Sequence, residues 1–168
     1  MSKDRLYLYD TTLRDGAQTT GIDFSIADKR RILAVLDDLG LDYIEGGYPG
    51  SNPTDTELFA QAPKLKSARF TAFGMTKRAG RSVSNDPGLQ ATLQSAADCI
   101  CLVAKGWDYH VRVALGISNE ENLESITQSV NAIRETQREA MIDCEHFFDG
   151  YKGNRAYALA VAKTAFDA

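Results

Sequence analysis

The chain has 168 residues, 43% of them hydrophobic and 25% charged, and a formal net charge of −4. That length builds one domain with a real core and is short for two. No basic excess marks a polyanion binder and no apolar run approaches the ~18 residues of a membrane span, so neither nucleic acid nor membrane is expected as a partner.

Residues 1–5, MSKDR, contain no signal-peptide core, and a cytoplasmic location is expected. The odd cysteine count agrees. Cys99, Cys101 and Cys144 cannot all pair, each lies in an apolar run, and buried reduced thiols are expected. No histidine or further cysteine stands near Cys99 and Cys101, so a zinc site there is not expected.

In chain order, the first β-prone apolar run is 6–9, followed by the polar stretch DTTLRDGAQTTG at 10–21. Ile32, Leu33, Leu36 and Leu39 form a helical stripe, with Gly40 placed as its C-terminal cap. A second strand falls at 43–44, and Thr54 with Glu57 has the spacing of a capping box. Strand three is 68–73. Asp86 and Pro87 supply a cap and a proline for the next helix. Strand four is 99–103. Ser118 and Glu121 open a helix whose stripe is Leu123, Ile126, Val130 and Ile133, and strand five is 140–144.

Strand then helix, five times over, reads as α/β with a parallel sheet and right-handed crossovers. Five units would complete an open doubly wound sheet and leave a (β/α)8 barrel three units short. Length favours the first. The residues just past each strand argue for the second, because chemistry gathers there: Arg14, Asp15 and Gln18; Glu45 with Gly46 and Gly47; Lys77 and Arg78; Lys105, Trp107 and His110; Glu145 and His146. In a parallel sheet these positions share the C-terminal rim, where both architectures hold their sites.

Taken singly, these residues have plainer readings. Arg14 and Asp15 could form an exposed pair worth under ~1 kcal/mol. Glu45 and Glu145 could be solvated strand-end carboxylates. Lys77, Arg78 and Arg81 read as a solvated basic face ahead of a phosphate site. Their conjunction on one rim favours a site. A carboxylate, a cation and an amide at the first strand suit an oxygen-ligated divalent metal carrying a keto acid, with Asp15 ligating and Arg14 stabilising carbonyl charge. Glu145 could then handle protons.

The segments LYDTTLRDGAQ, YIEGGYPGSNPTD, WDYHV and CEHFFDGYKGN stand in the order and spacing of the isopropylmalate/homocitrate synthase family, which the chain resembles from Leu6 to about Asn154 and on into the last helix. The resemblance implies a TIM barrel that condenses acetyl-CoA with a 2-oxo acid in a Claisen-type step. It implies a catalytic role for Arg14 and Glu145, a metal-ligand role for Asp15, and substrate contacts by Arg14, Gln18, Glu45 and His110. It implies a divalent metal, Mg2+ or Mn2+ with Zn2+ as the alternative, and a homodimer in the intact enzyme. Ala17 stands where isopropylmalate synthases carry a glutamate, which points to the citramalate branch, pyruvate as the oxo acid and the isoleucine route. Isopropylmalate or homocitrate synthesis, hydroxymethylglutaryl-CoA-type cleavage and a non-catalytic α/β binding module are the alternatives.

The family's further metal ligands come from a His-x-His motif on the seventh strand. Neither His110 nor His146 fits it. Residues 1–168 therefore read as the first five βα units of a TIM-barrel catalytic domain, truncated before that motif and inactive alone.

Overall fold

Five strands build one sheet in the order β1-β2-β3-β4-β5 in a computed structural model that describes residues 5–168. They are β1 (Tyr9–Asp10), β2 (Tyr43–Gly47), β3 (Arg69–Met75), β4 (Cys99–Lys105) and β5 (Glu139–Glu145). Helices α1 (Ile26–Asp38), α2 (Pro53–Leu58), α3 (Pro87–Leu93), α4 (Asp108–His110), α5 (Asn119–Glu135), α6 (Phe147–Gly153) and α7 (Arg155–Asp167) alternate with them. A doubly wound sheet of this size would run 2-1-3-4-5. The observed sequential order is that of a barrel wall. Residues 1–4, part of the segment searched for a signal peptide, lie outside the described residues. No described helix is long and apolar enough to cross a membrane.

The chain divides into two compact units, residues 1–73 with 95–99, and residues 74–94 with 100–168. In the first, β1 pairs parallel with β2, Tyr9 opposite Tyr43, and β2 pairs parallel with β3, Ile44 opposite Phe70. The register slips between Glu45 and Gly47, so this strand carries an irregularity where the sequence places its glycines. Gly46 is required there: a Cβ would run into the Phe70 ring, which stacks on Phe59 at a centroid distance of 4.3 Å. Leu13, Leu33, Ile44 and Phe70 are fully buried around it.

In the second unit the core joins Ala104 of β4, Val111, Ile126 and Val130 of α5, and Tyr157 and Val161 of α7. Three of the four expected stripe residues of α5, Ile126, Val130 and Ile133, are buried, and Leu123 packs partly buried against them. Its cap is the expected Ser118, whose hydroxyl accepts the Glu121 N–H at 3.1 Å. Asp86 caps α3 with Pro87 in the first turn, also as read.

Other local readings are corrected. The apolar run 6–9 is strand only at Tyr9; Leu6 and Leu8 are exposed, although the Leu8 carbonyl accepts the N–H groups of Asp42 and Tyr43 and its N–H donates to the Asp42 carboxylate. Helix α2 is capped by Asn52, not Thr54, because Pro53 fixes the first helical turn and the Asn52 side chain accepts the Asp55 N–H at 2.8 Å. On α1 the fully buried face is Lys29, Leu33 and Asp37, two charges around one leucine, while Leu39 is 72% exposed. As expected the cysteines are not in disulfides, with Cys99 and Cys101 buried and Cys144 partly so. Burial, then the Asp143 charge, pushes the Cys144 thiol up from its ordinary pKa.

Candidate active site

The segment after β1 turns because its polar residues satisfy its own backbone. The Asp10 carboxylate accepts from the Thr12 N–H at 2.9 Å and hydroxyl at 3.0 Å, and the Thr11 carbonyl accepts the N–H groups of Arg14, Asp15 and Gly16. Lys29 then ties the turn down from below. Its ammonium donates to the Leu13 carbonyl at 2.8 Å and the Gly46 carbonyl at 2.9 Å, and pairs with the Asp55 carboxylate. Asp55 also accepts the Tyr48 N–H at 2.9 Å and the Asn52 amide at 3.0 Å. Both charges are buried and fully partnered, the condition under which a buried ion pair is tolerated.

On this base stands Arg14. Its Nε donates to Glu45 Oε2 at 2.6 Å, and Tyr9 donates its hydroxyl to Glu45 Oε1 at 2.8 Å. The guanidinium lies 4.0 Å from the centroid of the Phe73 ring, and Nη1 reaches Asp15 Oδ1 at 3.2 Å. Nη2 has no hydrogen-bond partner among the described residues. Arg14 is therefore no loose surface ion: a carboxylate, an aromatic face and a neighbouring charge fix its plane while one nitrogen stays available.

Arg14, Ala17 and Gln18 line a cavity of about 410 Å³ together with Lys29, Tyr48 and Phe73. Glu45 does not line it. At 1% exposure, with both oxygens engaged, Glu45 holds Arg14 in place. The Asp15 carboxylate is mostly exposed.

The second unit brings together the other predicted residues. Lys105 and Glu145, the last residues of β4 and β5, form an ion pair. Gly106 donates its N–H to the Glu145 carbonyl at 2.9 Å, and Gly150 of α6 packs so closely on Gly106 that a Cβ would collide with the Gly106 carbonyl. The His110 and His146 rings meet edge to face at 4.5 Å, and Trp107 lies 4.8 Å from His110. His146 adopts φ +55°, a left-handed conformation that costs a non-glycine residue energy, and its Nδ1 is 3.2 Å from Asp149. Asn122 joins the Lys105 carbonyl at 3.1 Å to the Tyr157 hydroxyl at 2.7 Å, and burial pushes that hydroxyl up from its ordinary pKa.

Sequence reasoning missed Tyr9, Lys29 and Asp55. The available signal was the spacing of Lys29 four residues before Leu33, which puts the lysine on the inward side of α1. Lys77, read as part of a solvated face, is instead buried, at 8% exposure; only Arg78 and Arg81 remain exposed. Among the described residues no group of three or more His, Cys, Asp or Glu side chains is placed to hold a metal ion. Asp15 alone does not make such a site.

Residues 5–168 match the HMGL-like family model, and the chain belongs to that family. Within it, the chain is 47% identical to the (R)-citramalate synthase of Streptomyces coelicolor over 98% of its own length and 45% identical to that of Aquifex aeolicus over 96%. It is 30% identical to the 2-isopropylmalate synthase of Listeria monocytogenes over 98%. It spans 32%, 31% and 31% of those three proteins. Its fold is that of the HMG-CoA lyase of Bacillus subtilis, with a TM-score of 0.75 at 16% identity, covering 97% of this chain and 55% of the lyase. The fold class is thus α/β, a partial barrel of five βα units.

Proposed function

We propose that the protein serves as part of an acyltransferase that condenses acetyl-CoA with a 2-oxo acid and then hydrolyses the resulting thioester with water, pyruvate giving citramalate and free coenzyme A. The observation that carries this reading is the fixed Arg14 guanidinium, with Nη2 unpartnered, lining a cavity in a chain 45–47% identical to (R)-citramalate synthases. The name those relatives carry supports pyruvate ahead of the larger oxo acid of 2-isopropylmalate synthesis.

In this reading Arg14 donates from Nη2 to the keto oxygen of the bound oxo acid, and that contact strengthens as negative charge grows on the oxygen. Glu45 and Phe73 hold the guanidinium in plane beforehand, so little reorganisation is needed during reaction. Gln18 orients the oxo acid, and His110 contributes a substrate contact. Glu145, held by Lys105, exchanges the proton of the acetyl methyl group. Asp15 offers one carboxylate to a divalent metal, which when bound polarises the keto acid. The described residues do not complete that site, so no step is assigned to it.

Thiol release from acetyl-CoA with pyruvate and Mn2+ tests the proposal, in the 168-residue chain and in a protein of the relatives' full length that contains it. Background release is expected from the chain alone and turnover from the longer protein. There Arg14→Ala should cost roughly 10²–10³ in kcat, as loss of a preorganised oxyanion donor does. Full activity of Arg14→Ala in the longer protein would refute the role given to Arg14.

A further inference from the structure

A second cavity, of about 440 Å³, lies in the unit that starts at Gly74, beneath the loop that follows β3. Three cations line it, Lys77, Arg78 and Lys105, and no carboxylate does. Lys105 is already committed to Glu145. Lys77 is not. It is 92% buried by its 8% exposure, and its ammonium has no hydrogen bond or ion pair with any described residue. Ser125 of α5 also lines the cavity at 2% exposure, and its Oγ is a buried polar atom without a partner.

Of the two, the Ser125 hydroxyl is costly as it stands, because a buried hydroxyl without a partner loses hydration with nothing in return, whereas the Lys77 ammonium at the cavity keeps contact with solvent. The surrounding structure nevertheless holds them in place. The Lys77 N–H donates to Ser129 Oγ at 2.9 Å, and Ser129 donates to the Ser125 carbonyl at 2.7 Å. The Arg78 N–H is held by Asp86 at 2.8 Å, and the Asp86 oxygens are filled by the N–H groups of Arg78, Gly88 and Leu89. No acidic group is left over there to neutralise Lys77.

We propose that this cavity is an oxyanion subsite that takes a phosphate group on Lys77 and Ser125, with the exposed Arg78 as its second cation. A doubly charged group with several acceptor oxygens satisfies an ammonium, a guanidinium and a hydroxyl together, which a single carboxylate does less completely. Ala114, Leu115 and Ile117 supply an apolar wall beside it, suited to the carbon part of a phosphate ester. The proposal is independent of the condensation reading, and a binding experiment without turnover separates the two.

Calorimetric titration of the 168-residue chain at low salt with inorganic phosphate, coenzyme A and dephospho-coenzyme A tests it. Saturable binding of at least one probe is expected. Preference for coenzyme A over dephospho-coenzyme A assigns the site to the 3′-phosphate, whereas equal affinity for inorganic phosphate assigns it to free phosphate. Lys77→Met should weaken binding about tenfold or more, since a hydrogen bond to a charged group is lost. Ser125→Ala should weaken it about threefold while raising the Tm of the unliganded chain, because an unsatisfied buried hydroxyl is removed. Absence of binding by all three probes at millimolar concentration overturns the proposal, as does a Lys77→Met protein with native circular dichroism and native affinity. If Lys77→Met does not fold, Ser125→Ala decides: unchanged phosphate affinity there overturns it.

Discussion

Two regions of this molecule, each built around a buried lysine, solve the same electrostatic problem in opposite ways. Lys29 is buried and finds two carbonyls and the Asp55 carboxylate. Lys77 is buried to a similar degree and finds no side-chain partner among the described residues. Full internal pairing makes a scaffold, and the Lys29 network accordingly fixes the backbone beneath Arg14. The Lys77 ammonium instead lines a cavity without a protein partner, and the phosphate proposed for that cavity would supply one.

The largest expected effect breaks the scaffold directly. Asp55→Ala strands the Lys29 ammonium and should cost about 3–5 kcal/mol, read from the urea midpoint. Lys77→Met, which removes a charge that lacks a partner, should leave the unliganded midpoint unchanged or raise it. A destabilisation by Lys77→Met as large as that by Asp55→Ala would erase the contrast.

Leu33→Ala should cost about 2–5 kcal/mol, because Leu33 is fully buried between the two charges of α1. Gly46→Ala should cost about 1–3 kcal/mol by forcing the Phe70 ring aside. Both are measured by the same denaturation series, and a neutral Gly46→Ala would show that the Phe59–Phe70 stack yields without strain.

Acid should weaken both regions through one carboxylate each. Burial raises the pKa of Asp37, but the N–H groups of Lys66, Ala68 and Ser67 outweigh it and hold the carboxyl below the usual range. Asp86 behaves alike: burial raises it, and the N–H groups of Arg78, Leu89 and Gly88 with the Arg78 charge bring it down. A depressed folded-state pKa means stability fully present above the unfolded value of about 3.9 and lost as pH falls through the folded one. Asp37→Asn and Asp86→Asn should each flatten the fall of Tm below about pH 4 while lowering Tm at pH 7. Unaltered acid melting in both would remove these carboxylates from the account.

The smallest effect is expected at Leu39, where Leu39→Ala should stay within about 0.5 kcal/mol because the side chain is exposed at the helix end. Paired with Leu33→Ala, it separates the face that α1 buries from the one its hydrophobicity suggests.

The sequence by itself determined the alternation of five strands and helices, the α5 stripe, the caps at Asp86 and Ser118, and the strand ends where Lys105 and Glu145 stand. Each depends on local spacing, period and capping chemistry, which neighbours along the chain suffice to express. Tertiary structure alone decided that α1 buries Lys29 and Asp37, that Glu45 serves Arg14, and that Lys77 leaves the surface. The sheet order is the barrel order that the strand-end residues and the family resemblance implied, against the open sheet that length alone favoured. Hydropathy assigns a charged residue to water, whereas burial of a charge depends on partners contributed from elsewhere: Asp55 lies 26 residues beyond Lys29 in the chain and Glu45 lies 31 beyond Arg14. Those partners meet only once the strands are side by side, so no periodicity along the chain encodes the meeting.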